Sequence, residues 1–172
     1  DRGLPCAFQM TWKNHVHTDG FYFRGHGSSG WIGIFDLDHC DDVRITRCLL
    51  NDVGGGYTPR FASAQHSARL QVRNCVISGG FDGFVVRGCP ELTLENNVFL
   101  RNWIQQVYVD NNPLQKVVIR RNIVTDSLPG KVRVPLMEFA RVESLTEEDN
   151  VYFLRVPDEA RKPFVFYGNF EY

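Results

Sequence analysis

The stretch that determines the fold is Leu70-Gln71-Val72-Arg73-Asn74-Cys75-Val76-Ile77. Segments 43–50, 92–99 and 117–124 align with it, and each reads apolar-x-apolar-x-x-(Asn or Cys)-apolar-apolar. The Asn/Cys position recurs after 27, 22 and 25 residues. Alternation within each segment indicates a strand whose side chains point inward and outward by turns. A repeat of this period predicts stacked units in which each unit contacts only its neighbours.

A second repeat, offset from the first, adds another strand to each unit. Segment 19–25 is almost restated by segment 82–88, and segments 34–40 and 106–112 occupy the same position in their units. A third short strand follows each Asn/Cys position, and no helical period separates the strands. This pattern resembles the right-handed parallel β-helix repeats of the pectate-lyase-like superfamily, over roughly residues 15 to 167. The resemblance implies an all-β, single-stranded, right-handed parallel β-helix of about six or seven rungs.

Length and charge limit the other possibilities. A chain of 172 residues is expected to form a single domain, with 1–14 as an irregular start and 15–167 as the rungs. Because it opens with Asp1 and not Met, we expect a processed form or part of a larger protein with flanking domains. The net charge of −1 predicts no nucleic-acid partner, and the lack of a long apolar run predicts no membrane insertion.

Several repeated positions are predicted to be structural. Asn97, Asn122 and Asn150 are expected to stack as an amide ladder that satisfies backbone groups at a corner. Cys75 and Cys48 occupy the same position one and two rungs before Asn97, and we interpret them as buried free thiols. No Cys-x-x-Cys pair occurs in the sequence, which argues against a zinc site.

The outward positions of one sheet carry the candidate functional residues. One predicted column contains polar and charged side chains at Arg24, Asp38, Gln65, Arg87 and Asp110. The column beside it is predicted to contain Tyr22, Asp36, Ser63, Val85, Tyr108 and Glu138. His39 and His66 follow at the same corner, and loops 51–62, with Arg60, and 126–135 are predicted to wall a groove. Mixed carboxylates, arginines and tyrosines on a flat sheet are typical of a surface that binds a polyhydroxylated chain.

Three functions remain open on these residues. A polysaccharide lyase acting on uronic-acid chains would use Arg87 as base or neutraliser, with Ca²⁺ on Asp36, Asp38 and Asp110 as a possible cofactor. A glycoside hydrolase would pair Asp38 with Asp36, about 6.5 Å away, because Asp110 lies roughly 14 Å away. The catalytic candidates are therefore Asp36, Asp38, His39, His66 and Arg87, and the substrate-binding candidates are Arg24, Arg60, Tyr108 and Asp110.

The third possibility is a surface module that binds glycan without catalysis, or an adhesive spacer between other domains. For the two enzymes and for the glycan-binding module, the partner is a polysaccharide. We therefore expect the protein to be secreted, periplasmic or displayed at the cell surface.

Overall fold

The strands of this protein form three parallel sheets. The computed structural model describes residues 8–24, 35–51, 62–79, 82–102, 105–109, 114–125, 137–139, 141–153, 165–167 and 170–171. Sheet 1 has eight strands, and sheets 2 and 3 have six each. Within these ranges there are strands and no helix, and thus no helix able to cross a membrane. The six-stranded sheets agree with the predicted stack of six or seven rungs.

Each sheet takes one strand from every rung, and strands are numbered in chain order. Sheet 1 contains β1 (Phe8–Thr11), β4 (Phe35–Asp38), β7 (Ala62–Gln65), β10 (Asp82–Arg87), β13 (Gln105–Val109), β16 (Met137–Phe139), β19 (Val165–Tyr167) and an antiparallel β20 (Phe170–Glu171). Sheet 2 contains β2 (His17–Asp19), β5 (Val43–Thr46), β8 (Arg69–Arg73), β11 (Glu91–Glu95), β14 (Leu114–Arg120) and β17 (Val142–Glu148). Sheet 3 contains β3 (Tyr22–Arg24), β6 (Leu49–Asn51), β9 (Val76–Ser78), β12 (Val98–Leu100), β15 (Ile123–Thr125) and β18 (Val151–Phe153).

The core consists of apolar columns from all three sheets. In sheet 1 the register places Phe84 opposite Val107 and Val86 opposite Val109, and all four side chains are fully buried or nearly so. The predicted inward columns are therefore confirmed. A period of two along each strand, repeated at every rung, is sufficient to fix this core.

The predicted ladder at the corner between sheets 2 and 3 is also present. The Asn97 amide donates to Asn122 Oδ1 at 3.1 Å, and the Asn122 amide donates to Asn150 Oδ1 at 3.0 Å. Toward the other end the column continues as Cys75 and Cys48, which are buried free thiols, as predicted. Cys75 takes part through its backbone N–H, which donates to Asn97 Oδ1 at 3.0 Å.

The predicted equivalence of segments 19–25 and 82–88 is wrong. Tyr22 and Arg24 lie on β3 of sheet 3, where they pair with Leu49 and Asn51, whereas Asp82–Arg87 is β10 of sheet 1. The column of Asp38 therefore begins with Thr11 and not with Arg24. Likewise the column of Asp36 begins with Gln9, while Tyr22 heads an exposed apolar column on sheet 3 formed by Tyr22, Leu49, Val76, Val98, Ile123 and Val151.

The two glycines that suggested the equivalence have different roles. Gly20 turns a corner with φ of +73°, whereas Gly83 lies inside β10 and lets Gln106 and Asn102 approach the backbone. A Cβ at position 83 would lie 2.4 Å from the Gln106 carbonyl oxygen and 2.7 Å from Asn102 Nδ2. The glycine thus permits a turn in one segment and a close approach between neighbouring rungs in the other.

We expect Gly83→Ala to lower the free energy of unfolding by about 2 kcal/mol, because the backbone of the next rung must move to make room for the methyl group. The matched control is Gly20→Ala, where no atom lies within 4 Å of the added Cβ, so the cost is only the positive φ, about 1 kcal/mol. Urea unfolding of both variants provides the comparison. A smaller loss for Gly83→Ala than for Gly20→Ala would contradict the close approach.

Candidate functional site

Three rings stack at the corner that follows sheet 1. Trp12, His39 and His66 each come directly after a strand and each has a positive φ, of 57°, 52° and 51°. Their ring centroids lie 4.1 Å apart for Trp12 and His39 and 4.7 Å apart for His39 and His66, with nearly parallel planes. The strand register aligns these residues, because Thr11, Asp38 and Gln65 occupy one column. We call this group the aromatic stack.

Asp38 joins the two histidines of the stack. Its Oδ1 lies 2.8 Å from His39 Nδ1 and 3.3 Å from His66 Nδ1. Partial burial disfavours the charged carboxylate, but the hydrogen bonds to His66 and His39 outweigh this effect and lower the pKa of Asp38. Since an ionised carboxylate only accepts hydrogen bonds, both Nδ1 atoms carry protons in this arrangement.

Asp36 is the second carboxylate on β4 and lies on the same face as Asp38. Burial raises its pKa, the hydrogen bond from Gln9 Nε2 at 3.3 Å opposes this, and the charge of Asp38 raises it further. The net direction is upward. The two carboxyl groups of one strand therefore have pKa values displaced in opposite directions.

The aromatic stack ends where the sequence has a glycine. At the next rung the position after the strand is Gly88, in register with His66, and it has a positive φ of 63°. Glycine has no side chain to cover the outer face of the His66 ring, and the His66 side chain is 60% exposed. Among the described residues, the stack thus ends at His66.

The structure brings together four of the predicted site residues, namely Asp36, Asp38, His39 and His66. Arg87 is in the predicted column, with its backbone opposite Gln65 and so two rungs, about 10 Å, from Asp38. Tyr108 lies in the column of Asp36, three rungs and about 14 Å away. Arg24 belongs to another sheet, as described above. The side chain of Arg87, together with Arg60, Asp110 and the loop predicted at 126–135, lies outside the described residues.

The outward face of sheet 1 is not uniformly exposed. Val85 belongs to the outward column of Asp36 and Tyr108, yet it is fully buried, and so are Gln106 and Asn102 beside it. Asn102 Nδ2 donates to Gln106 Oε1 across this part of the sheet. Among the side chains described on and beside this face, Trp12 and His66 of the aromatic stack are exposed.

Other charged groups of the same region form local pairs. Asp42 accepts a hydrogen bond from His15 Nδ1 at 2.9 Å, which lowers its pKa, and Asp41 pairs with Arg69 at 3.3 Å. On sheet 2, Asp19 binds Arg47, which lowers its pKa. Exposed pairs of this kind stabilise a surface only slightly. They satisfy charge between rungs.

The stacking of Trp12 on His39 was not predicted from the sequence. A signal was present, because Trp12, His39 and His66 are spaced 27 residues apart and each follows the last residue of a strand. The segment before Trp12 has no Asn/Cys frame of its own, so its register was fixed only by the pairing of β1 with β4.

The parallel sheets and their corner ladder define a β-helix, and comparison with known families gives the same result. A family described as right handed beta helix region matches residues 13–130, so the chain belongs to this family, and the helix is right-handed. No curated protein and no solved structure matches the chain.

Proposed function

We propose that this protein binds a polysaccharide at the early rungs of sheet 1. The observation that carries the proposal is the aromatic stack of Trp12, His39 and His66 beside the carboxylates of Asp36 and Asp38. The proposal includes export of the protein to the periplasm, the cell surface or the medium, where structural polysaccharides occur.

The chemistry of the surface suits a sugar ring. An aromatic ring offers a flat apolar face to the C–H groups of a sugar, and carboxylates accept hydrogen bonds from its hydroxyl groups. Trp12 is 72% exposed, and the His66 side chain is 60% exposed. The rigid rungs fix the spacing of these groups, so binding costs little conformational entropy.

An enzymatic activity toward the bound polysaccharide is a more specific version of the same proposal. A lyase would need a base and a positive group near the scissile residue, and the sequence offers Arg87 for this, with Ca²⁺ on Asp36 and Asp38 as an oxygen-ligand site. A glycoside hydrolase would use the two carboxyl groups of β4, which face the same side. The products separate these activities from binding alone.

The test is affinity electrophoresis or calorimetry with polygalacturonate, alginate and a neutral glucan. We expect Trp12→Ala to weaken binding about three- to tenfold, which is the value of one stacking contact. The matched control is Tyr22→Ala, because Tyr22 is also an exposed aromatic residue but lies on sheet 3. Equal binding by the wild type and Trp12→Ala would contradict the proposed surface.

The same samples report on activity. Ultraviolet absorbance of an unsaturated uronate product, lost in Arg87→Ala, would establish a lyase, and new reducing ends without that absorbance would establish a hydrolase. Bound glycan that is recovered intact would leave a binding module.

A further inference from the structure

We propose that Asp38, His39 and His66 form a binding site for a divalent transition-metal ion, with Zn²⁺ as the first ion to test. Each residue offers one ligand atom, and the three atoms lie within 4.8 Å of one another. They come from two adjacent rungs, since Asp38 ends β4 and His39 follows it, whereas His66 follows β7 on the next rung. The proposal is independent of glycan binding, although it uses part of the same surface.

The distances are close to those that a zinc ion requires. Ligand atoms about 2.0–2.1 Å from a tetrahedral ion lie roughly 3.3 Å from one another. Asp38 Oδ1 is 2.8 Å from His39 Nδ1 and 3.3 Å from His66 Nδ1. Both imidazoles already direct Nδ1 at the carboxylate, and the three ligand atoms lie within 4.8 Å of one another.

The ligand set favours a particular class of ion. Two imidazole nitrogens and one carboxylate oxygen suit Zn²⁺, Co²⁺, Ni²⁺ and Cu²⁺, whereas Ca²⁺ and Mg²⁺ prefer a shell of oxygens. Three protein ligands leave one tetrahedral position open for water or another oxygen ligand. On binding, each Nδ1 gives up its proton and the neutral ring carries its proton on Nε2 instead, so the charge of the ring is unchanged.

The scaffold holds the ligands before any ion binds. Asp38 lies at the end of β4, and His39 is held at a fixed corner between the rings of Trp12 and His66. The backbone N–H of Trp12 donates to the Asp38 carbonyl at 3.1 Å, which fixes the corner to the neighbouring rung. Fixed ligands reduce the ordering cost of binding a metal.

The experiment is calorimetric titration of the chelator-treated wild-type chain with Zn²⁺ and, separately, with Ca²⁺, in the absence of sugar. We expect one Zn²⁺ site and at least tenfold weaker binding by Asp38→Asn, His39→Ala and His66→Ala. The matched control is His15→Ala, because His15 also donates through Nδ1 to an aspartate, at 2.9 Å, but has no second histidine beside that aspartate within the described residues. His15→Ala is expected to bind Zn²⁺ as the wild type does.

Imidazole nitrogen resonances provide a second measurement that does not depend on the variants folding normally. Zn²⁺ is expected to shift the signals of two of the five histidines, His39 and His66, at their Nδ1 atoms. Absence of Zn²⁺ binding by the wild type, or undiminished binding by both His39→Ala and His66→Ala, would overturn the metal site. Neither result would affect the glycan proposal, which is measured without metal.

Discussion

Asn97→Ala is expected to lower the free energy of unfolding by about 3–4 kcal/mol, because the amide side chain satisfies buried backbone groups of the preceding rung. Asn97 is fully buried. Its Oδ1 accepts from the backbone N–H of Cys75 at 3.0 Å, and its Nδ2 donates to the carbonyl of Val72 at 2.8 Å. Alanine leaves both groups buried without these partners, and each such loss costs about 1–3 kcal/mol.

The ladder also links Asn97 to the rung that follows. Asn122 Oδ1 accepts from both the backbone N–H and the side-chain amide of Asn97, at 2.9 and 3.1 Å. Alanine keeps the first of these bonds and removes the second. The effect is therefore spread over three rungs, and we expect the cooperativity of unfolding to be unchanged while the midpoint falls.

Asn150→Ala is the matched control for this prediction. Asn150 makes the same contacts, with Asn122 as donor and the Ile119 carbonyl as acceptor, but its side chain is only partly buried. Water can replace the lost amide there, so we expect a loss of about 1 kcal/mol. Urea unfolding of both variants gives the two numbers. Equal losses would mean that burial does not set the strength of the ladder.

The ladder and the core were predictable from sequence because both repeat at every rung. A buried column such as Val72, Leu94 and Ile119 needs only an apolar residue at a fixed phase, and the Asn/Cys position sets that phase. Because the pattern repeats, the strand assignment of each rung can be checked against the other rungs. The free thiols followed from the same frame, since Cys48 and Cys75 fill positions that asparagine occupies further along.

Segment 19–25 shows where this method fails. Its sequence matches that of segment 82–88 almost completely. The sheet to which a strand belongs, however, depends on the distance of that strand from the corner ladder and not on its sequence. Residues 49–51 directly follow the ladder position at Cys48. Residues 22–24 follow the equivalent corner one rung earlier, so these two segments pair with each other. Composition alone placed Tyr22 and Arg24 on the wrong sheet.

The candidate site was predictable only in part, for a related reason. Asp38, His39 and His66 were grouped correctly because they share a corner. The hydrogen bonds that connect them depend on side-chain rotamers, which no period in the sequence encodes. The burial of Val85 was likewise hidden, because an outward position is exposed only if nothing lies over it.

The second large effect is expected on the outer face of sheet 2, where Glu95 is surrounded by arginines. Glu95 is only 5% exposed, its Oε2 accepts from Arg120 at 3.1 Å, and its Oε1 binds Arg121. Arg73 on the preceding rung lies 3.4 Å from Oε2. One buried carboxylate thus contacts three guanidinium groups, one from the preceding rung and two from the following rung.

Glu95→Gln is expected to lower the free energy of unfolding by about 2–3 kcal/mol at neutral pH. The glutamine keeps the shape but leaves three neighbouring cations without their counter-charge, and breaking a buried pair on one side is costly. This loss is smaller than the loss expected for a fully buried pair, because the arginine side chains are partly exposed. The matched control is Glu91→Gln on the same strand, where Glu91 is exposed and a change within about 0.5 kcal/mol is expected.

The pH dependence tests whether the charge of Glu95 is responsible. Burial disfavours the carboxylate, but hydrogen bonds from Arg120 and Arg121 and the charge of Arg73 outweigh it and lower the pKa of Glu95 below its ordinary 4.5. As the pH falls through that ordinary value, the unfolded chain takes up a proton before the folded chain does, so the stability contributed by Glu95 decreases. The difference in unfolding free energy between the wild type and Glu95→Gln should therefore be full above about pH 5 and shrink steadily below it. Urea unfolding across this range measures the difference directly. A gap that stays constant with pH would mean that glutamine disturbs packing and that the arginines do not depend on the charge.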